Sequence, residues 1–193
     1  MFVHLLETER TVIDPITIND ASFFVKLVNS PDWLHFIGDR NVSNIDDACR
    51  YLQNDFLRSY TDNGFGYYLV RTTPKQVPIG ICGFLQKPTL ENPDFGFALL
   101  PDYYGQGFAI ESCRAVLDYG IQAFGFSILD AVTTPDNARS MRLLEKLGFQ
   151  HHGTTSGSTG DDELMFYRWT NQCAGTDNAG SLASAQDNSL STR

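Results

Sequence analysis

The stretch from Asp94 to Ser112 limits what this chain can fold into more than any other segment does. It reads Asp-Phe-Gly-Phe-Ala-Leu-Leu-Pro-Asp-Tyr-Tyr-Gly-Gln-Gly-Phe-Ala-Ile-Glu-Ser. A strand pattern stops at Pro101, Gly105 and Gly107 follow in a tight turn, and a helical pattern begins at Ala109. The first N–H groups of a helix have no partners inside it and carry partial positive charge, and glycines let an anion approach the main chain closely. The main-chain N–H groups of Gly105, Gln106, Gly107, Phe108 and Ala109 therefore read as a phosphate cradle that needs neither lysine nor metal. Taken alone, the same turn is also explained by simple strand-to-helix geometry.

A second unit of this kind runs from Thr133-Thr134-Pro135-Asp136-Asn137-Ala138-Arg139-Ser140 into Met141 to Phe149. Asn137, just after Pro135-Asp136, is a good helix N-cap, and Ser140 falls in the first turn. Around the two units the periodicity alternates. Asp20 to Val28 and Ile45 to Tyr60 have apolar residues at helical spacing, with Ser43 or Asn44 placed to cap the second segment. Gly66 to Arg71 and Pro78 to Gln86 read as strands split by the turn Thr72 to Lys75, and Asp94 to Leu100 joins them as a meander. Ile110, Cys113, Val116, Leu117 and Ile121 form a stripe made to cover a sheet. Ser127 to Thr134 follows that helix, so it is expected to lie parallel to Asp94 to Leu100. Met165 to Trp169 reads as the last strand, after a polar loop from Gly153 to Gly160.

Composition places these elements in one domain. The 193 residues are 42% hydrophobic, enough to bury a full core over residues 1–172. From Cys173 the composition turns to Gly, Ser, Ala, Asn and Asp, and a disordered tail is expected over 173–193. With 14 basic against 23 acidic residues the net charge is −9, which argues against a nucleic-acid partner and mildly favours a basic substrate. The N-terminus meets charge at Glu7, and no long apolar run suggests a leader or a membrane partner. Cys49, Cys82, Cys113 and Cys173 lack paired spacing, so free thiols in a cytoplasmic protein are expected, with Cys82 and Cys113 in the core. His151 and His152 are neighbours on a strand and point to opposite faces, so no metal site is expected there.

The two tandem units, with these residue choices, resemble the GNAT superfamily of acyl-CoA-dependent N-acetyltransferases. The closer likeness is to the branch that includes ribosomal-protein alanine and serine N-acetyltransferases, and it spans residues 4 to 170. Leu6 to Arg10 is similar to that branch's opening strand, Ile18 to Asn29 to its first helix, and Trp33 to Arg40 to the loop between its first two helices. Gly83-Phe84 fits its third strand, and the aromatic at Tyr104 suits the ribosomal branch. The resemblance implies an α/β (α+β) GNAT fold: a mixed, mainly antiparallel sheet flanked by helices, opening in a V between the fourth and fifth strands.

It also implies the chemistry, with acetyl-CoA as co-substrate and a primary amine as acceptor. The acceptor is a protein N-terminus or a small-molecule amine, and a non-catalytic acyl-CoA-binding module is the alternative from another class. Main chain at Ala98, Leu99 and Leu100 is implied to pair with the pantetheine arm, with a splay at Leu99 and Leu100 that leaves an N–H for the thioester oxygen. Asn137 is implied to hydrogen-bond the arm, and Ser140 to sit near the sulfur. Many relatives carry a Tyr where this chain has Leu144 and a Glu where it has Val132. Without them, the acid role falls to Ser140, with Tyr103 or Tyr104 as possible helpers. Asp94 is the candidate base, Asp130 a weaker one, and Glu111 is expected only to complement the helix N-terminus. Trp33, His35, Phe36, Asp39 and Arg40 are candidates for recognising the acceptor, or form a packed loop with a surface ion pair. The oligomeric state has no signature in the sequence.

Overall fold

A computed structural model describes residues 4–157 and 163–171. The expected tail from Cys173 lies outside the described residues, as does the end of the expected polar loop. Eight strands form one sheet in the order β1-β2-β3-β4-β5-β6-β8-β7. β1 (Leu6–Glu7) and β2 (Thr11–Pro15) make an N-terminal hairpin in place of the single expected strand, because Thr8 to Arg10 turn the chain back. β2 then pairs with β3 (Tyr67–Thr72), β3 with β4 (Pro78–Leu85) and β4 with β5 (Asp94–Leu99), all antiparallel. β6 (Ile128–Thr133) meets β5 in parallel at a single pair, Asp94 with Asp130. β8 (Glu163–Thr170) and β7 (Gln150–Ser156) complete the sheet, so the strand extends through much of the expected Gly153 to Gly160 loop.

Helices cover both faces. On one lie α1 (Ala21–Val28), α2 (Pro31–Phe36) and a long helix from Ile45 to Asn63. That long helix is built of α3 (Ile45–Tyr51), a wider turn over Leu52–Leu57, and α4 (Arg58–Asn63). Asn44 caps it as expected, accepting from the Asp47 N–H. Phe24, Leu27, Trp33, Leu52 and Phe56 pack here on Leu69 and Ile81 of the sheet. Residues Pro31–Phe36 are helical rather than looped, since Pro31 occupies the first turn, where its missing N–H costs nothing.

On the other face α5 (Phe108–Phe124) and α6 (Ala138–Leu147) bury Val116, Leu117, Leu144 and Leu147 against Phe84, Phe95, Leu129 and Tyr167. Cys82 and Cys113 are fully buried in this layer. Among the described residues no helix is long and apolar enough to cross a membrane. The sheet is thus continuous except where β5 and β6 part, and that parting creates the site.

Candidate active site

β5 and β6 touch at their beginnings, where the Asp130 N–H donates to the Pro93 carbonyl at 3.0 Å, and then diverge. The Leu100 N–H donates to the Ile79 carbonyl at 2.8 Å, which fixes the hydrogen-bonding phase of β5 against β4. In an antiparallel ladder alternate residues turn their main-chain groups to opposite neighbours. Ala98 and Leu100 therefore spend theirs on β4, whereas Phe97 and Leu99 turn theirs toward the opening. This corrects the expectation for Ala98 and Leu100, whose main-chain groups are already committed to β4. The Leu99 carbonyl accepts from the Tyr104 hydroxyl at 3.0 Å.

The opening is a cleft of about 1310 Å³. Asp94, Ala98, Leu99, Gly105, Gly107, Ala109, Asn137 and Ser140 all line it, while Leu100, Gln106 and Phe108 do not. Gly105 and Gly107 have φ of 70° and 86°, the left-handed region that suits glycine, and Gly107 is the N-cap of α5. The turn is steered by a residue with no local signal, Arg10. Its Nη1 donates to the Gln106 carbonyl at 2.9 Å, and its guanidinium stacks 4.8 Å from the Phe108 ring centre. A Cβ on Gly107 would stand 3.1 Å from Arg10 Nη2.

Glu111 holds that arginine. It accepts from the Thr8 hydroxyl at 2.6 Å, the Arg10 N–H at 2.8 Å and Arg10 Nε at 2.7 Å. Burial alone would raise the Glu111 carboxyl, but the Thr8 and Arg10 bonds hold it below the ordinary carboxylate range. Glu111 thus ties the β1–β2 turn to α5, a larger role than complementing a helix end.

On the other wall the Asn137 side-chain oxygen caps α6 by accepting from the Ser140 N–H at 3.1 Å. This leaves the Asn137 amide N–H₂ and the Ser140 hydroxyl at the cleft surface. Leu144 is buried in the core, and Val132 lines the cleft as an apolar side chain. The segment Trp33 to Arg40 contributes Trp33, His35, Phe36 and Arg40 to the cleft, but Asp39 turns away to accept from the Asn41 N–H at 2.7 Å. Ion pairs from α2 reach across the opening to α6 and the turn before it. Asp32 pairs with Arg139, and His35 Nε2 lies 2.7 Å from Asp136. Arg139 also stacks 4.4 Å above the Tyr104 ring, whose hydroxyl is pushed up to about 12 by burial and by Asp32.

The two carboxylates at the apex of the V differ in kind. Asp130 is 1% exposed and occupied: Arg168 donates to it through Nε at 2.7 Å and Nη2 at 3.2 Å, and Asn92 at 3.1 Å. Asp94 is also buried, but Lys87 Nζ meets only its Oδ2, at 2.7 Å, and Oδ1 has no partner among the described residues. Burial raises the Asp94 carboxyl above its ordinary value; Lys87 opposes that shift, and Asp130 adds to it. Asp94 is thus a buried carboxylate with raised proton affinity and one oxygen without a partner, in a residue that lines the cleft. Asp130 has none of these freedoms and does not line the cleft. His151 packs against the Tyr167 ring at 5.3 Å, and no cluster of three or more His, Cys, Asp or Glu side chains that could hold a metal forms among the described residues.

Comparison with known proteins bears on this arrangement. The acetyltransferase (GNAT) domain family matches residues 10–150. The uncharacterized N-acetyltransferase YoaA of Bacillus subtilis is 31% identical over 152 residues, spanning 77% of this chain and 84% of that protein. Among solved structures, an acetyltransferase from Agrobacterium tumefaciens superposes with a TM-score of 0.73 at 21% identity, covering 89% of this chain and 96% of the other. The ribosomal-protein-S5-alanine acetyltransferase of Vibrio fischeri superposes with a TM-score of 0.70 at 16% identity, covering 86% and 96%.

Proposed function

Because this chain belongs to the GNAT family and is an acetyl-CoA-dependent N-acetyltransferase, we propose that its acceptor is the free N-terminal amine of a peptide or protein, that Asp94 takes the amine's proton, and that Ser140 protonates the leaving thiolate. The observation that carries the reading is the parted pair of strands with an unpartnered carboxylate oxygen at its floor.

The residues present fit acetyl-CoA. The α5 N-terminus with Gly105 and Gly107 would receive the pyrophosphate, and the outward main-chain groups of Phe97 and Leu99 would pair with the amides of the pantetheine arm. The Asn137 amide would donate to the same arm from the facing wall. When bound, acetyl-CoA supplies a thioester whose carbonyl oxygen gains negative charge during attack, and the Phe97 N–H is aimed into the opening where such charge would develop. The Ser140 hydroxyl has a proton to give, and a thiolate is a fair leaving group, so a stronger acid at Leu144 is dispensable.

A peptide acceptor is supported by the shape of the far side. Ile37, Arg40 and Asp55 line the cleft, as do Gly157, Glu163 and Leu164. Ile37, Arg40 and Asp55 are exposed, so a chain could trail outward while its amine reaches the floor. The Vibrio fischeri protein of the same fold is a ribosomal-protein alanine acetyltransferase, which agrees with this reading. The test is release of free thiol from acetyl-CoA with a panel of acceptors: short peptides beginning with Ala, Ser or Met, spermidine, an amino sugar and tyramine. Peptides should exceed the small amines in kcat/KM by at least about 10-fold, a difference of about 1.4 kcal/mol in transition-state stabilisation. Preference for a small amine would overturn the peptide assignment.

A further inference from the structure

Glu111 is a negative charge on the helix end that would receive the pyrophosphate, in the first turn of α5. The first bond of that helix runs from the Glu111 N–H to the Gly107 carbonyl at 3.2 Å, so the N–H groups of Phe108, Ala109 and Ile110 precede it and have no partner inside the helix. Those are the groups an anion would use. A Cα–Cβ bond in a helix leans toward the N-terminus, and a carboxylate is drawn to the positive end of the helix dipole. The Glu111 side chain is therefore a built-in competitor for the same N–H groups. Burial disfavours its charge, but bonds from Thr8 and Arg10 keep the carboxyl below the ordinary carboxylate range, so it is ionised at neutral pH. Left loose at this end, it would fill the cradle and repel the ligand.

The carboxylate is instead occupied by the β1–β2 turn. Its Oε1 accepts from the Thr8 hydroxyl at 2.6 Å and the Arg10 N–H at 2.8 Å, and its Oε2 from Arg10 Nε at 2.7 Å and Arg10 Nη2 at 2.6 Å. None of these four donors belongs to α5. The guanidinium is fixed in turn from the cradle side, where Nη1 donates to the Gln106 carbonyl at 2.9 Å and the Phe108 ring centre lies 4.8 Å away. One planar fork thus spans the carboxylate and the residue before the N-cap, which a point charge could not do. A hairpin at the edge of the sheet decides where a charge on α5 lies.

We propose that Arg10 is a positioning residue for acetyl-CoA, which holds the Glu111 carboxylate off the N-terminus of α5 and so keeps the cradle open to the pyrophosphate. The inference rests on that turn as the pyrophosphate site. Arg10 Nε, Nη1 and Nη2 are each already engaged by the protein, so Arg10 acts through Glu111 rather than by gripping the phosphates. Removing Arg10 leaves Glu111 charged and free to turn toward the Phe108, Ala109 and Ile110 N–H groups. Removing Glu111 as well takes the competitor away.

The test is a cycle of Arg10→Gln, Glu111→Gln and the double variant. Coenzyme A affinity is read by calorimetry, together with melting temperature and kcat/KM for acetyl-CoA and for S-acetylpantetheine, which lacks the pyrophosphate and the nucleotide. Arg10→Gln should weaken coenzyme A roughly 10-fold or more and lower kcat/KM for acetyl-CoA alike, yet leave acetylpantetheine within about 3-fold. Glu111→Gln should bind coenzyme A at least as tightly as wild type, and it reads the competition even if loss of Arg10 unfolds the hairpin. The double variant should return to within about 3-fold of wild-type affinity while its melting temperature stays as low as that of Arg10→Gln, because both lack the ion pair. A residue that merely props the fold would show no such recovery. Four results would overturn the positioning role and leave the cradle standing: wild-type affinity in Arg10→Gln, equal losses for the two thioesters, a double variant as weak as Arg10→Gln, or weaker coenzyme A binding in Glu111→Gln. Equal kcat/KM for the two thioesters in the wild-type protein would remove the pyrophosphate from this turn, and the inference with it.

Discussion

Replacing Asp130 by Asn separates the two apex carboxylates by what each is for. Asp130 receives three hydrogen bonds, two of them from the Arg168 guanidinium, and is 1% exposed. Asn keeps the shape and one acceptor oxygen but turns an N–H₂ toward a cation or toward the Asn92 amide. A hydrogen bond to a charged group is worth about 1.5–3 kcal/mol, and breaking one side of a fully buried pair costs about 3–5 kcal/mol. Arg168 is 29% exposed and can be rehydrated, so the lower figures apply, and a loss of about 2–3 kcal/mol is expected. For a chain of this size that corresponds to a fall in melting temperature of roughly 4–12 °C. Turnover should survive within about 3-fold, because Asp130 does not reach the cleft. The acid limb of the pH–rate profile should move to lower pH, since the Asp130 charge is one of the influences that raise the Asp94 carboxyl. Differential scanning calorimetry and steady-state kinetics on the same preparation provide both readings. An Asp130→Asn protein that melts normally yet loses more than about 100-fold in kcat would refute the reasoning and make Asp130 the base.

Two further outcomes follow from the cradle and the ion pair. Gly107→Ala should cost about 1 kcal/mol of stability from its left-handed backbone and weaken coenzyme A only slightly, whereas Gly107→Glu should also abolish coenzyme A binding by calorimetry; equal affinities in the two variants would remove the pyrophosphate from this turn. Lys87→Met removes the positive charge that holds the Asp94 carboxyl down, so the acid limb of kcat/KM should shift to higher pH, and an unmoved limb would mean that the titrating group is not Asp94.

The sequence discloses the local parts of this site and hides the long-range ones. Asp94 to Ala109 and Thr133 to Phe149 carry their own punctuation: a proline stop, left-handed glycines and an Asn cap. All of these act within a few residues, and they are where the structure agrees best. The hydrogen-bonding phase of β5 depends on Ile79, which no local pattern marks, so the sequence alone points to Leu100 and passes over Phe97. Arg10 and Glu111 are 101 residues apart, and Asp32 and Arg139 are 107 apart. No periodicity marks such pairs; each residue alone looks like an ordinary surface charge. The hairpin turn at Thr8 to Arg10 likewise lacks glycine or proline, and is held by Glu111 from another element.

Asp94 sits at the one bridge between β5 and β6 and is 2% exposed. That position gives a stronger base and a less stable protein by the same physics, because removing a carboxylate from water disfavours its charged form. The sign follows from linkage. A carboxyl whose folded pKa is raised above its unfolded value contributes stability that is fully present below the unfolded pKa and is lost as pH rises through the folded one. Asn has no charge to desolvate, so the melting temperature of Asp94→Asn relative to wild type should climb from mildly acid to neutral pH. The lost bond to Lys87 subtracts little, about 1 kcal/mol or less, since Lys87 is 37% exposed and returns to solvent. The variant should therefore be at least as stable as wild type at neutral pH and yet slower in turnover. A pH-independent difference in melting temperature would show that Asp94 titrates alike in the folded and unfolded chain, and the argument that burial tunes it as a base would fail.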